Sequence, residues 1–163
     1  MSLNNFKKNK WGLAFLWVII FQLVGFLLGK ITNDTINSWY RSLEKSTLTP
    51  PDQVFAIVWT ILYLMIALAG WSLWINRKKQ GLNFLLILFF LQVGLNWLWI
   101  FLFFYFKAIT LSIICIILLT MVTALLIIVC RKKTPFTLFM LIPYFLWLCF
   151  ATYLNFVIYY LNI

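Results

Sequence analysis

The sequence predicts an all-α integral membrane protein, a single bundle of five transmembrane helices spanning residues 1–163. Two observations carry this. The chain is 65% apolar, 20% aromatic and only 10% charged, which leaves too little polar surface to cover a globule in water. Its few charges also cluster, so uncharged stretches run from Trp11 to Gly29, Gln53 to Asn76, Gly81 to Phe106, Ala108 to Cys130 and Thr134 to Ile163. Each is about 19 residues or longer, enough for a helix to cross a hydrocarbon core of about 30 Å. In lipid every backbone N–H and C=O needs an internal partner, so each stretch reads as a helix.

The expected helices are about 11–29, 53–76, 81–106, 108–130 and 135–161, with an outer loop of about 30–49. Three lysines before the first span resemble the start of a signal peptide. The apolar run is nevertheless too long and lacks a small-residue cleavage site, so a retained helix is expected. In the first helix Gly25 and Gly29 form a GxxxG spacing, which suits either tight packing within the bundle or dimerisation. Thr49 reads as the N-cap of the second helix, with Pro50 and Pro51 in its first turn and Asp52 complementing its positive end. The pattern recurs at Thr134 and Pro135, which open the fifth helix. Pro143 inside that helix removes a backbone hydrogen bond, and a kink is expected there. The remaining connections are short, which makes sequential helices antiparallel neighbours.

The net charge of +10 follows topology rather than nucleic acid. Lys7, Lys8, Lys10, Arg77, Lys78, Lys79, Arg131, Lys132 and Lys133 all fall on one side of a five-span chain, against Lys30, Arg41, Lys45 and Lys107 on the other. The positive-inside rule then places the N-terminus in the cytoplasm and the C-terminus outside. The acidic residues Asp34, Glu44 and Asp52 share the outer connection. No nucleic-acid partner is expected; membrane lipid is.

No ionisable group lies in the middle of a span, so proton relays and acid–base, nucleophilic or metal-assisted catalysis lack their parts. No catalytic residue and no metal site is expected. Cys115, Cys130 and Cys149 lie in apolar spans with no CxxC, and the chain has no His, so they read as packing residues. The spans instead carry tryptophans and amides at helical spacing. Gln92, Asn96, Trp99 and Phe103 share one face of the third helix, Phe55, Trp59, Tyr63 and Ala67 one face of the second, and Tyr144, Trp147, Ala151 and Asn155 one face of the fifth.

At 1.5 Å per residue, Trp59, Trp99 and Ala151 lie roughly 10, 12 and 15 Å below the outer surface, a common level. If these faces converge, they enclose an aromatic-walled cavity with Asn96, Asn155 and Tyr63 as polar handles, opening toward Trp39 and Tyr40. Such a site suits a flat, mostly apolar ligand. Spacing alone equally allows ordinary packing, with Asn96 and Asn155 as interhelical glue. Trp11, Trp71 and Trp74 sit near span ends, as interfacial anchors do.

These residues resemble the translocator protein family, also known as the tryptophan-rich sensory or peripheral benzodiazepine receptor family. The resemblance rests on Trp39-Tyr40 with Leu43 and Lys45, on Pro50-Pro51, Val58-Trp59 and Leu62-Tyr63, on Gln92, Leu95-Asn96 and Trp99, and on Pro143-Tyr144, Trp147, Phe150-Ala151 and Leu154-Asn155. It implies a five-helix bundle whose pocket binds porphyrin or haem-like tetrapyrroles and similar flat hydrophobic ligands, without a required cofactor. It implies Trp39, Trp59, Tyr63, Asn96, Trp99, Trp147 and Ala151 as pocket lining, a homodimer, and the bacterial inner membrane as location. Light-dependent porphyrin breakdown, with Trp59 as the candidate residue, and a structural or partner-binding bundle are the alternatives. Ser46, Leu48, Gln53 and Ile57 depart from the family pattern, which implies weaker loop contacts to a porphyrin. Leu154 and Tyr159 are followed by no basic residue, so a sterol-type motif is not completed.

Overall fold

A computed structural model describes residues 3–79 and 81–163, with side chains described except those of residues 3–9 and Asp34. The side-chain positions of Lys7, Lys8 and Asp34, used above in the charge balance, therefore lie outside the described residues.

Among the described residues there are five α-helices: α1 (Leu3–Thr35), α2 (Asp52–Asn76), α3 (Leu82–Ile100), α4 (Ile109–Cys130) and α5 (Pro135–Asn162). Two π-helical turns, Ile36–Tyr40 and Phe101–Tyr105, extend α1 and α3. All five are long and apolar enough to cross a membrane. They pack in the ring order α1, α2, α5, α4, α3, which α1 and the π-helical turn after α3 close. The end of the bundle bearing the α1–α2 connection is called the loop end below.

Apart from α1 beginning at Leu3 rather than near residue 11, the predicted spans agree with the helices except at two places. The stretch 30–49 is not one long loop: α1 continues helically through the turn Ile36–Tyr40 to Ser42. At 33 residues, α1 is about 50 Å long and overhangs a 30 Å hydrocarbon core. Lys30 and Asp34 end the apolar stretch but not the hydrogen-bonded helix, because charged residues are adequate helix formers once outside lipid. The helix stops where its last carbonyls find other donors. Lys45 Nζ donates to the carbonyls of Tyr40 (2.8 Å) and Leu43 (2.9 Å), and Ser42 Oγ donates to that of Trp39 (2.7 Å).

The second correction concerns the start of α2. Pro51, not Thr49, is its N-cap, with ψ at 149°. Pro50 precedes another proline, and that disfavours the helical region at residue 50, so the first turn cannot include it. Asp52 is the first helical residue. The Thr49 hydroxyl is buried with no partner among the described residues. Thr134 does stand at the N-cap of α5 with Pro135 next, and α5 runs on through Pro143.

Glycine decides how closely the first three helices meet. A Cβ on Gly70 of α2 would strike the rings of Phe89 from α3 and Trp17 from α1. Gly25 of α1 gives equivalent room to the Tyr63 ring, which would lie 2.9 Å from a Cβ there. At the basic end, Trp11 and Trp71 stack 5.6 Å apart, and the Trp71 indole N–H donates to the Lys10 carbonyl at 3.0 Å.

Candidate functional site

The stripes expected from sequence do face inward. Gln92, Asn96, Trp99 and Phe103 are buried along α3 and its π-helical turn, as are Tyr63 and Ala67 on α2 and Tyr144, Ala151 and Asn155 on α5. They do not fill the space between them. A cavity of about 1140 Å³ lies in the loop-end half of the bundle, lined by residues from α1, α2, the end of α3 and α5.

Aromatic rings build its wall. Trp59 and Trp99 stack across α2 and α3 with centroids 6.3 Å apart and planes 24° from parallel. Phe103 continues the stack, 5.8 Å from Trp99 at 17°, and Tyr63 lies 5.8 Å from Trp59 on the other side. On the α5 side Trp147 meets Phe55 edge to face at 5.6 Å. The small side chain of Ala151 lines the cavity between these bulky neighbours.

Polar bonds fix the rings in place. The Trp99 indole N–H donates to Asn155 Oδ1 at 3.2 Å, and Asn155 Nδ2 donates to the Ala151 carbonyl at 3.0 Å. The Tyr63 hydroxyl donates to Asn96 Oδ1 at 3.0 Å, and Asn96 Nδ2 donates to the Tyr144 hydroxyl at 3.3 Å. Both networks are buried, where an unpaired polar group is costly, so the Trp99 indole and the Tyr63 and Tyr144 phenols are each held in one orientation. The indole nitrogens of Trp147 and Trp97 are buried with no acceptor among the described residues.

Of the seven residues expected in the lining, Trp59, Tyr63, Trp99, Trp147 and Ala151 lie on the cavity. Asn96 and Trp39 stand beside it. The Asn96 amide is spent on joining three helices through Tyr63 and Tyr144. Trp39 packs edge-on against Phe103 at 5.5 Å, while Tyr40 faces the cavity instead. Neighbouring positions of a helix point about 100° apart, so with the chain helical to Tyr40 the inward face here carries Tyr40 and turns Trp39 toward α3. Burial raises the Tyr40 hydroxyl to a pKa of about 12, with nearby Asp52 adding to the effect, so it remains a neutral donor.

Sequence reasoning missed the contribution of α1. Gln22, Gly25, Phe26, Gly29, Lys30 and Asn33 line the cavity, and Gln22 Nε2 donates to the Thr60 carbonyl across the α1–α2 seam at 2.9 Å. The GxxxG pair gave the available signal: Gly25 admits Tyr63, and Gly29 has nothing within 4 Å of where a Cβ would stand. Among the departures from the family pattern, Gln53 lines the cavity, whereas Leu48 and Ile57 are exposed on the outside.

Comparison with known proteins gives a consistent result. The sequence model of the TspO/MBR family matches residues 12–161. A tryptophan-rich protein TspO of Archaeoglobus fulgidus is 34% identical over 139 residues, covering 85% of this chain and 90% of that protein. One from Bacillus cereus is 31% identical, covering 89% of this chain and 95% of its own length. The translocator protein of Homo sapiens is 27% identical over 72% of this chain and 71% of its own.

Proposed function

The chain belongs to the TspO/MBR family, and on that premise we propose that its cavity binds porphyrin or haem-like tetrapyrroles as a membrane receptor or carrier. The observation that carries this reading is the void of about 1140 Å³ walled by Trp59, Trp99 and Trp147. Most small-molecule sites enclose roughly 300–1,000 Å³, so a single aromatic ring would leave most of this one empty. A macrocycle several rings wide uses the space. Flat indole faces suit a flat π-system, which gains dispersion and stacking without needing many hydrogen bonds.

The same reading places the chain in a bacterial inner membrane with its N-terminus cytoplasmic, because the basic residues at the end opposite the cavity mouth satisfy the positive-inside rule. The cavity then opens toward the outer face. It also includes a homodimer, as expected from the resemblance. The lipid-facing side of α3, where Phe84, Ile87, Phe90 and Leu91 are exposed, leaves room for a second copy.

Titration with protoporphyrin IX, followed by tryptophan fluorescence, tests the binding reading. Wild-type protein is expected to show saturable quenching, and a variant combining Trp59→Ala with Trp99→Ala to bind at least tenfold more weakly, since each lost stacking partner is worth about 1 kcal/mol or more. Absence of saturation in the wild type, or quenching unchanged in the variant, contradicts it.

A further inference from the structure

We propose that the ligand of this cavity carries a carboxylate on one edge, received at the cavity mouth by Arg41, which releases Asp52 to take it. This rests on the reading of the cavity as a ligand site and narrows its ligand class to acidic, flat molecules.

The charged residues of the cavity lining, Lys30, Arg41 and Asp52, all stand on the wall made by α1, its helical extension and the start of α2. Where α1 overhangs the hydrocarbon, Lys30, Asn33, Asn37 and Arg41 follow one another at steps of three, four and four, a single helical stripe. All four line the cavity. The deep end, between Trp59, Trp99 and Ala151, holds no charged residue. A ligand apolar throughout would use the deep end and leave the cationic stripe facing it without function. A ligand acidic throughout would have to strip charges of water among the indoles, which is prohibitive.

The Arg41 guanidinium is available for exchange. Its Nη2 makes one contact of 3.4 Å to Asp52 Oδ2, and the two side chains are 63% and 47% exposed. So open a pair, with a single long contact, adds little stability. A guanidinium has five N–H donors in a planar fork that matches a carboxylate with two parallel bonds, and a ligand carboxylate can complete that geometry where Asp52 does not. Lys30, about 16 Å further down the same wall with its Nζ 4.8 Å from the centre of the Phe26 ring, adds positive potential but does not share that carboxylate. Asp52 thus competes with the ligand for Arg41, and removing its charge should help acidic ligands.

The test uses wild type, Arg41→Ala, Arg41→Lys and Asp52→Asn in lipid nanodiscs, with two pairs of probes: protoporphyrin IX and its dimethyl ester, and pyrenebutyrate and its methyl ester. The readout is the ratio of ester Kd to acid Kd from tryptophan quenching, normalised to wild type, which cancels partition of the probes into lipid. Arg41→Ala is expected to lower that ratio about tenfold for both pairs, the scale of one lost charge-assisted interaction. Arg41→Lys is expected to fall between it and wild type, and Asp52→Asn to raise the ratio severalfold. A ratio unchanged in Arg41→Ala and Asp52→Asn overturns the proposal. Saturable binding of protoporphyrin with an unaltered ratio in every variant leaves the tetrapyrrole reading standing and removes the acidic subsite. An Arg41-dependent ratio for pyrenebutyrate, with no saturable protoporphyrin binding, does the reverse. Saturation by none of the four probes removes both.

Discussion

Single side chains divide into those that make the void and those that hold the makers still. Trp59 and Trp99 form its wall by stacking, while Asn155 fixes the Trp99 indole and Asn96 fixes the Tyr63 ring that packs against Trp59. Asn96 joins Tyr63 of α2 to Tyr144 of α5 through a residue of α3, so its loss leaves two buried hydroxyls without their partner. Interhelical hydrogen bonds inside membranes average about 0.6 kcal/mol and reach about 1.7. With two such bonds lost, Asn96→Ala is expected to cost about 1–2 kcal/mol and to lower the thermal midpoint of detergent-solubilised protein by roughly 4 °C. A midpoint equal to wild type would show that the three-helix network contributes nothing to stability. Asn96 was legible in the sequence as a residue of an inward stripe. Its role was not, because spacing gives the direction of a side chain and not which neighbour reaches it first.

At the level of helices, hydropathy located all five spans and misjudged both ends of α1, which runs from Leu3 to Thr35 and beyond. Lys30 and Asp34 mark where α1 leaves lipid, yet the backbone continues to hydrogen-bond for several further turns. Apolarity reports the solvent around a helix, whereas the end of the helix is set by capping, here by Lys45 and Ser42. The same error hid the cavity-facing stripe of α1, whose polar residues were assigned to a loop. Helix approach gives a sharper test. Gly70→Ala must displace the rings of Phe89 and Trp17, at an expected cost of about 1–3 kcal/mol. Gly94→Ala and Gly12→Ala, where nothing lies within 4 Å of an added Cβ, are expected to melt at or slightly above wild type, because alanine is the better helix former. If all three variants melt together, close approach at Gly70 is not what sets the α1–α2–α3 packing.

For the whole bundle, the notable feature is the volume it leaves unfilled. Interiors of folded proteins normally pack to the density of organic crystals, and each lost methylene contact in a core is destabilising. The cavity of about 1140 Å³ is instead lined by stacked indoles and bordered by two buried amide networks, and a flat ligand lying against those rings gains dispersion and stacking contacts that water there does not supply. The level at which Trp59, Trp99 and Ala151 meet could be read from residue counting. The void between them could not, because equal depth is compatible both with a pocket and with interlocked rings. The most direct measurement of the central claim is a structure of the protein with protoporphyrin IX bound. The account predicts the macrocycle inside the bundle, against the Trp59 and Trp99 rings, with Ala151 at its edge and its acidic edge toward Arg41. A macrocycle lying on the lipid-facing surface, with the indoles closed over the space it should occupy, would contradict it.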